Sequence, residues 1–223
     1  PMRLMAISDL HLGNPTNRDA FADFPAAPED WLIVAGDVAE SLTRVEEALA
    51  RLVAGWAKVI WVPGNHELWT LPSEAHGLRG VKRYRALVEL ARSVGALTPE
   101  DPYPIWEGAG GPAVVVPMFT LYDYSFAPDG LAPHEVPAWA AEEDIHPVDE
   151  ALLHPDPHPS RARWCAERVA LTEARLEAIP ADLPTVLVNH YPLIRDLARL
   201  PRVPRFAPWC GTRLTETWHR RFR

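Results

Sequence analysis

The sequence predicts an α/β fold built on a parallel-type sheet, and three observations carry that expectation. Short apolar runs rich in β-branched residues recur at Arg3–Ser8, Trp31–Ala35, Val59–Val62 and Thr185–Val188. Runs of this kind read as strands buried on both faces. Over the first hundred residues they alternate with helical patterns. Each run also ends in residue types that bind metal ions: Asp9-Leu10-His11, Gly36-Asp37, Pro63-Gly64-Asn65-His66-Glu67 and Asn189-His190. Open α/β sheets place their ligand site just beyond the carboxyl ends of the strands. Four such coincidences predict one built site on one edge.

The elements follow in order. Thr43-x-x-Glu46 has the form of a capping box, with Val45, Leu49, Leu52 and Trp56 after it at helical spacing. A second helix is expected from Val81 to Val94, with Tyr84, Leu87, Leu90 and Ala91 inward and Gly95 as its stop. Ala113–Phe119 reads as a strand in which Pro117 suggests an edge or a bulge. Leu121 to Pro159 reads as an irregular insertion rich in Pro, acids and aromatics, whose length suggests a lid. Its Tyr122, Tyr124, Phe126 and Trp139 could stack on a base or pack on an organic moiety, but most of them are expected to fasten it to the domain. Its His134, His146, His154 and His158 show no recognisable ligand spacing. A helix capped by Ser160 follows from Arg161, burying Cys165, Val169, Leu176 and Ile179. Thr212 to Phe222 reads as a last helix.

Composition sets the bounds. At 223 residues and 48% hydrophobic content, a single domain with a full core is expected. No run approaches a membrane span, and the N-terminus lacks a signal-peptide pattern. Only Cys165 and Cys210 are present, too few for a disulfide framework, so the expected compartment is the cytoplasm. Net charge is −8, unevenly spread: Thr98 to Ser160 holds 12 acids and no Lys or Arg. From His190 onward eight Arg face only Asp196 and Glu216. The acidic balance argues against general nucleic-acid binding, while the basic end reads as a solvated face or one turned to an anionic substrate.

The strand-end residues suit particular chemistry. Residues i and i+2 of an extended chain point the same way, so Asp9 and His11 are expected to reach one ion. Asp37 follows a glycine that permits close approach, and its two oxygens can bridge two cations. Asn65 adds a carbonyl oxygen and His190 an imidazole. This mixed N/O set suits Mn, Fe or Zn better than Ca or Mg. His66 is left free to donate a proton. Two metals about 3.5–4 Å apart clamp the attacking and leaving oxygens of a displacement at phosphorus, which points to phosphoester hydrolysis.

Together, Ser8-Asp9-Leu10-His11-Leu12-Gly13, Gly36-Asp37, Gly64-Asn65-His66-Glu67 and Asn189-His190 resemble the calcineurin-like metallophosphoesterases in order and spacing. The resemblance implies a β-sandwich flanked by helices, in αββα layers, and a dinuclear site. By it, Asp9, His11 and Asp37 hold one divalent metal. Asp37 as bridge, Asn65 and His190 hold the second, while His66 protonates the leaving group or steadies the transition state. The family's closing Gly-His-x-His motif is not found, since His219 in Glu216-Thr217-Trp218-His219 does not match it. The expectation is therefore one domain over 1–223, C-terminally truncated, with the insertion at 121–160 and metals incompletely held by the chain as given.

Other phosphatase and hydrolase chemistries lack their letters. Leu171 and Glu216 stand where a cysteine phosphatase would need Arg after Cys165 and Cys210, and no Gly-x-Ser-x-Gly or phosphate-cradling glycine loop occurs. The alternative from another class is a non-catalytic protein-binding scaffold with a degenerate site. The intact metal-type residues argue against it. Candidate substrates are small phosphoesters, nucleotide-like compounds, or a phosphopantetheine arm on a carrier protein.

Overall fold

The computed structural model describes residues 2–74 and 77–222 and contains two three-stranded sheets with helices outside them. In chain order the elements are β1 Leu4–Ile7, α1 Pro15–Ala22, β2 Ala27–Ala35, α2 Leu42–Gly55, β3 Trp56–Val62, α3 Asn65–Leu68 and α4 Gly80–Ser93. Then follow β4 Ile105–Trp106, β5 Ala113–Pro117, α5 Val136–Ala141, α6 Asp149–Leu152, α7 Arg161–Glu177, β6 Thr185–Val188 and α8 Trp218–Arg221. The first sheet is β1-β2-β3, all parallel, with Ala6 opposite Ile33 and Ile33 opposite Ile60. In the second, β5 pairs antiparallel with β4 and parallel with β6. The fourth metal-tipped run therefore lies in a different sheet from the other three.

Side-chain alternation explains why two sheets stack. Trp31 and Ile33 of β2, Ile60 and Val62 of β3, Trp106, Val115 and Val188 form one buried cluster shared by both sheets. Their neighbours Leu32, Val34, Val59, Trp61, Val114 and Val116 face the other way, into a cluster with the helices. A strand buried on both faces must be apolar at every position, as these runs are. Trp31 meets Trp106 edge-on across the sandwich, ring centroids 5.3 Å apart. Outside, α2 buries Val45, Ala48, Leu49 and Leu52, and α4 buries Tyr84, Leu87, Val88 and Ala91. On α7, Trp164, Cys165, Val169 and Leu176 are buried. The αββα expectation holds.

Several local expectations are corrected. The cap of α2 is Ser41, whose side chain accepts from Arg44 N, so Thr43 is already inside the helix; Trp56 begins β3 instead of ending α2. Helix α7 ends at Glu177, leaving Ile179 beyond it. Strand β5 is central, not an edge: Pro117 sits at its last position, opposite Val188, where the next donor is Met118 N, to Val188 O at 2.8 Å. The C-terminal helix is broken into a 3₁₀ turn, Arg213–Thr215, and the single turn α8, with His219 exposed. Thr212 and Thr215 donate their hydroxyls to Asp123 Oδ2 and Leu193 O, competing with helical order.

The stretch read as an irregular insertion is part of the core. It carries α5 and α6, and Leu121, Tyr122, Tyr124, Phe126, Val136, Ala140 and Leu153 are buried, which bears out the fastening role of its aromatics. Several of its acids are paired with cations from outside the stretch. Arg161 meets Glu150, Arg205 meets Glu142 and Glu143, and Arg213 meets Asp129.

The acid Glu100 anchors α7 to the domain. Arg168 Nη2 donates to its Oε1 at 2.7 Å, and the Tyr84 hydroxyl donates to the same oxygen at 2.5 Å. Burial alone would raise the Glu100 carboxyl, but the Arg168 charge and both hydrogen bonds outweigh it and leave the group below its ordinary range. A lowered folded pKa gives stability that is complete above the unfolded value, about 4.3, and is lost as pH falls through the folded one. Thermal melting of the wild type and Glu100→Gln should thus differ at neutral pH, and the difference should shrink in acid as pH falls through the lowered folded pKa.

Candidate active site

The ends of β1, β2, β3 and β6 meet, although β6 belongs to the other sheet. Asp9 N donates to Gly36 O at 3.0 Å, His11 N to Asp37 O at 2.9 Å and Leu12 N to Val38 O at 2.8 Å, so the loops after β1 and β2 are zipped side by side. Asp9, His11 and Asp37 all have positive φ, at 57°, 43° and 56°. The extended geometry expected of Asp9 and His11 is therefore incorrect: both bend through the left-handed region. Asp and His are among the residues that tolerate it, and such backbone strain concentrates at functional sites. Gly36 (φ +87°) allows the close approach, because a Cβ there would lie 2.6 Å from His190 Nδ1. A Cβ on Gly64 would fall 2.1 Å from Asp37 Oδ1.

Asp37 is the centre of the cluster. Its Oδ2 lies 3.7 Å from His11 Nε2, 3.8 Å from His66 Nε2 and 3.6 Å from His190 Nε2, while His11 Nε2 lies 3.6 Å from Asp9 Oδ1. These separations are too long for hydrogen bonds. They fit ligands of a shared cation, since bonds of about 2 Å hold neighbouring donor atoms roughly 3–4 Å apart. Two overlapping groups have donor atoms all within 4.8 Å, His11–Asp37–His66 and Asp9–Asp37–His190, and Asp37 is common to both. Among the described residues no such group involves the insertion histidines; His158 instead stacks on Trp164 and His154 meets Arg79.

The electrostatics favour a cation. Burial pushes the Asp37 carboxyl up to about 7; the His66 backbone N–H opposes this, and the charge of Asp9 adds to it. A buried carboxylate in this state lacks positive charge, which a metal supplies. His190 Nδ1 lies 2.9 Å from Ala35 O. That hydrogen bond requires the proton on Nδ1 and turns the Nε2 lone pair to the cluster.

Four supporting residues, Glu40, Glu67, Trp69 and Asp149, were not singled out in the sequence. Glu40 Oε1 lies 3.0 Å from His66 Nδ1, and Trp69 stacks on the His66 ring with centroids 3.8 Å apart. Burial lowers the pKa of His66, partly offset by Glu40. Glu67 is fully buried and accepts from the backbone of Asp37, Val38 and Gly64 and from the Trp61 indole. Glu67 lay inside the quoted motif and Glu40 three residues after Asp37, so spacing could have flagged both. Asp149, which meets Asn65 across 84 residues, left no local signal.

The family model for calcineurin-like phosphoesterases matches residues 2–222. The chain belongs to the calcineurin-like phosphoesterases. This family hydrolyses phosphoesters with metal ions. Among curated relatives, the [acyl-carrier-protein] phosphodiesterase PptH of Mycobacterium tuberculosis is 50% identical over 221 residues, 98% of this chain and 68% of the relative. The crystal structure of phosphopantetheinyl hydrolase PptH from the same organism superposes with a TM-score of 0.95 at 48% identity, covering 99% of this chain and 79% of that one. No described helix of this phosphoesterase is long and apolar enough to cross a membrane.

Proposed function

We propose that this chain is a metal-dependent phosphodiesterase that releases a phosphopantetheine group from an acyl carrier protein. The observation that carries the reading is half-identity to a relative of that description over nearly the whole chain, together with an intact strand-end cluster. In this reading Asp9, His11, Asp37, Asn65 and His190 would hold divalent cations, Mn, Fe or Zn, with Asp37 the member common to both donor groups. When bound, such ions bring the acidity of water close to neutral pH and offset the charge of the phosphoryl group. The protein's own part is positional. Asp37 and His190 are held by backbone partners, and Glu40 holds His66 by Nδ1 so that Nε2 faces the cluster. His66, protonated on both ring nitrogens, would then give its Nε2 proton to the departing oxygen as a water oxygen bonds to phosphorus and the old P–O bond breaks.

The test uses intact-mass spectrometry of a phosphopantetheine-bearing carrier protein incubated with the Mn²⁺-loaded enzyme. Loss of the prosthetic group, blocked by a chelator, is expected; a carrier protein left unchanged by loaded enzyme overturns the substrate assignment. The role of His66 is checked separately. His66→Ala should reduce turnover by about 10²–10⁴-fold while metal content by elemental analysis stays near wild type. Loss of metal would make His66 a ligand, as its place in one of the two donor groups allows.

A further inference from the structure

Asp149 opens α6, in the stretch between β5 and α7, remote in sequence from the strand-end motifs. It is 2% exposed, and its Oδ1 accepts two hydrogen bonds: from Asn65 Nδ2 at 2.8 Å and from Trp69 Nε1 at 2.6 Å. A carboxylate only accepts, so it selects one of the two orientations of the Asn65 amide. With the NH₂ committed to Asp149, the carboxamide oxygen is the end free for a cation. The same Asp149 oxygen holds the Trp69 indole, whose ring lies on His66. The other oxygen, Oδ2, is buried with no hydrogen-bond partner, and the Asp149 charge is felt at Asp37. A buried, half-satisfied carboxylate is costly to keep, and nearby cations would offset that cost.

We propose that Asp149 is a positioning residue: it orients the Asn65 carboxamide for a cation and, through Trp69, fixes the plane of the His66 ring. The inference rests on the metal assignment proposed above. Ligand-orienting partners are typically worth 10–100-fold in metal affinity. The experiment titrates metal-depleted protein with Mn²⁺ alone and follows free ion by electron paramagnetic resonance.

Asp149→Ala should weaken Mn²⁺ binding by about 10–100-fold. Asp149→Asn, which keeps an oxygen acceptor for both donors, should recover most of that loss. The double variant of Asn65→Ala and Asp149→Ala should bind no more weakly than Asn65→Ala alone, because the two residues act through one ligand. Wild-type affinity in Asp149→Ala beside a weakened Asn65→Ala, or additive losses in the pair, overturns the inference while leaving the metal assignment standing. Wild-type affinity in Asn65→Ala overturns the assignment and the inference with it. Should Asp149→Ala fail to melt cooperatively, the zinc-loaded wild type carries the test by nitrogen-15 NMR. Its Asn65 side-chain amide, identified by its loss in Asn65→Ala, should be shifted downfield and slow to exchange. A fast-exchanging, surface-like amide overturns the proposal.

Discussion

Asp37→Ala should abolish both functions of the site at once, with metal content falling sharply and phosphodiester hydrolysis dropping by at least about 10³-fold. The size follows from position. Asp37 Oδ2 lies within 3.6–3.8 Å of three imidazole nitrogens, so both donor groups lose their shared member. Several kcal/mol of charge stabilisation at a transferring phosphoryl group, at roughly tenfold per 1.4 kcal/mol, gives that factor. Folding should survive, because removing a buried carboxylate that burial has already made hard to ionise relieves a cost. Elemental analysis and carrier-protein turnover on the same preparation check the claim. Retained activity would remove Asp37 from the centre of the site.

Glu67→Leu should have the opposite profile, acting first on stability. The Glu67 oxygens are surrounded by donors alone: Asp37 N and Gly64 N at 3.0 and 3.1 Å on Oε2, Val38 N and the Trp61 indole at 3.0 and 3.4 Å on Oε1. Leucine leaves those buried donors unpaired, an expected loss of about 3–5 kcal/mol and roughly 10 °C in melting temperature. Glu67→Gln should also destabilise, though less, because its NH₂ must face one of the N–H pairs. Burial and the neighbouring Asp37 charge push the Glu67 carboxyl upward, against this all-donor surrounding. Thermal melting with and without added Mn²⁺ measures both variants. An unchanged melting temperature in Glu67→Leu would mean that the loops after β2 and β3 hold their shape without this link.

Much of the site was legible because its residues follow strands directly. Asp9, Asp37, Asn65 and His190 each come one to three residues after an apolar run that does form a strand. Burial on both faces holds for β2 and β3 only: β1 is an edge strand with Met5 and Ala6 exposed, and β6 is half-buried except at Val188. The membership of β6 in a second sheet was not legible, since strand letters record burial and not partners. The buried face of α2 at Val45, Leu49 and Leu52 was readable from its apolar spacing, whereas Trp56 belongs to β3 and the cap was misplaced by two residues between Ser41 and Thr43, both able to cap. The stretch from Leu121 to Pro159 misled for a related reason. Without periodicity its letters reveal neither the short helices α5 and α6 nor the pairing of its acids with Arg205 and Arg213, more than sixty residues away.

The sequence by itself determined the family, the apolar runs that become strands and the candidate residues at their ends. These depend on local letters and short spacing, and hydrophobic alternation acts within a few residues. Only the tertiary structure decided how those residues are aimed. The left-handed turns at Asp9, His11 and Asp37, the Glu67 clasp and the bond from Asp149 to Asn65 join segments up to 84 residues apart. Hydrogen bonds and buried charges are directional and short-ranged, so partners distant in sequence carry no mark of one another until the chain is packed.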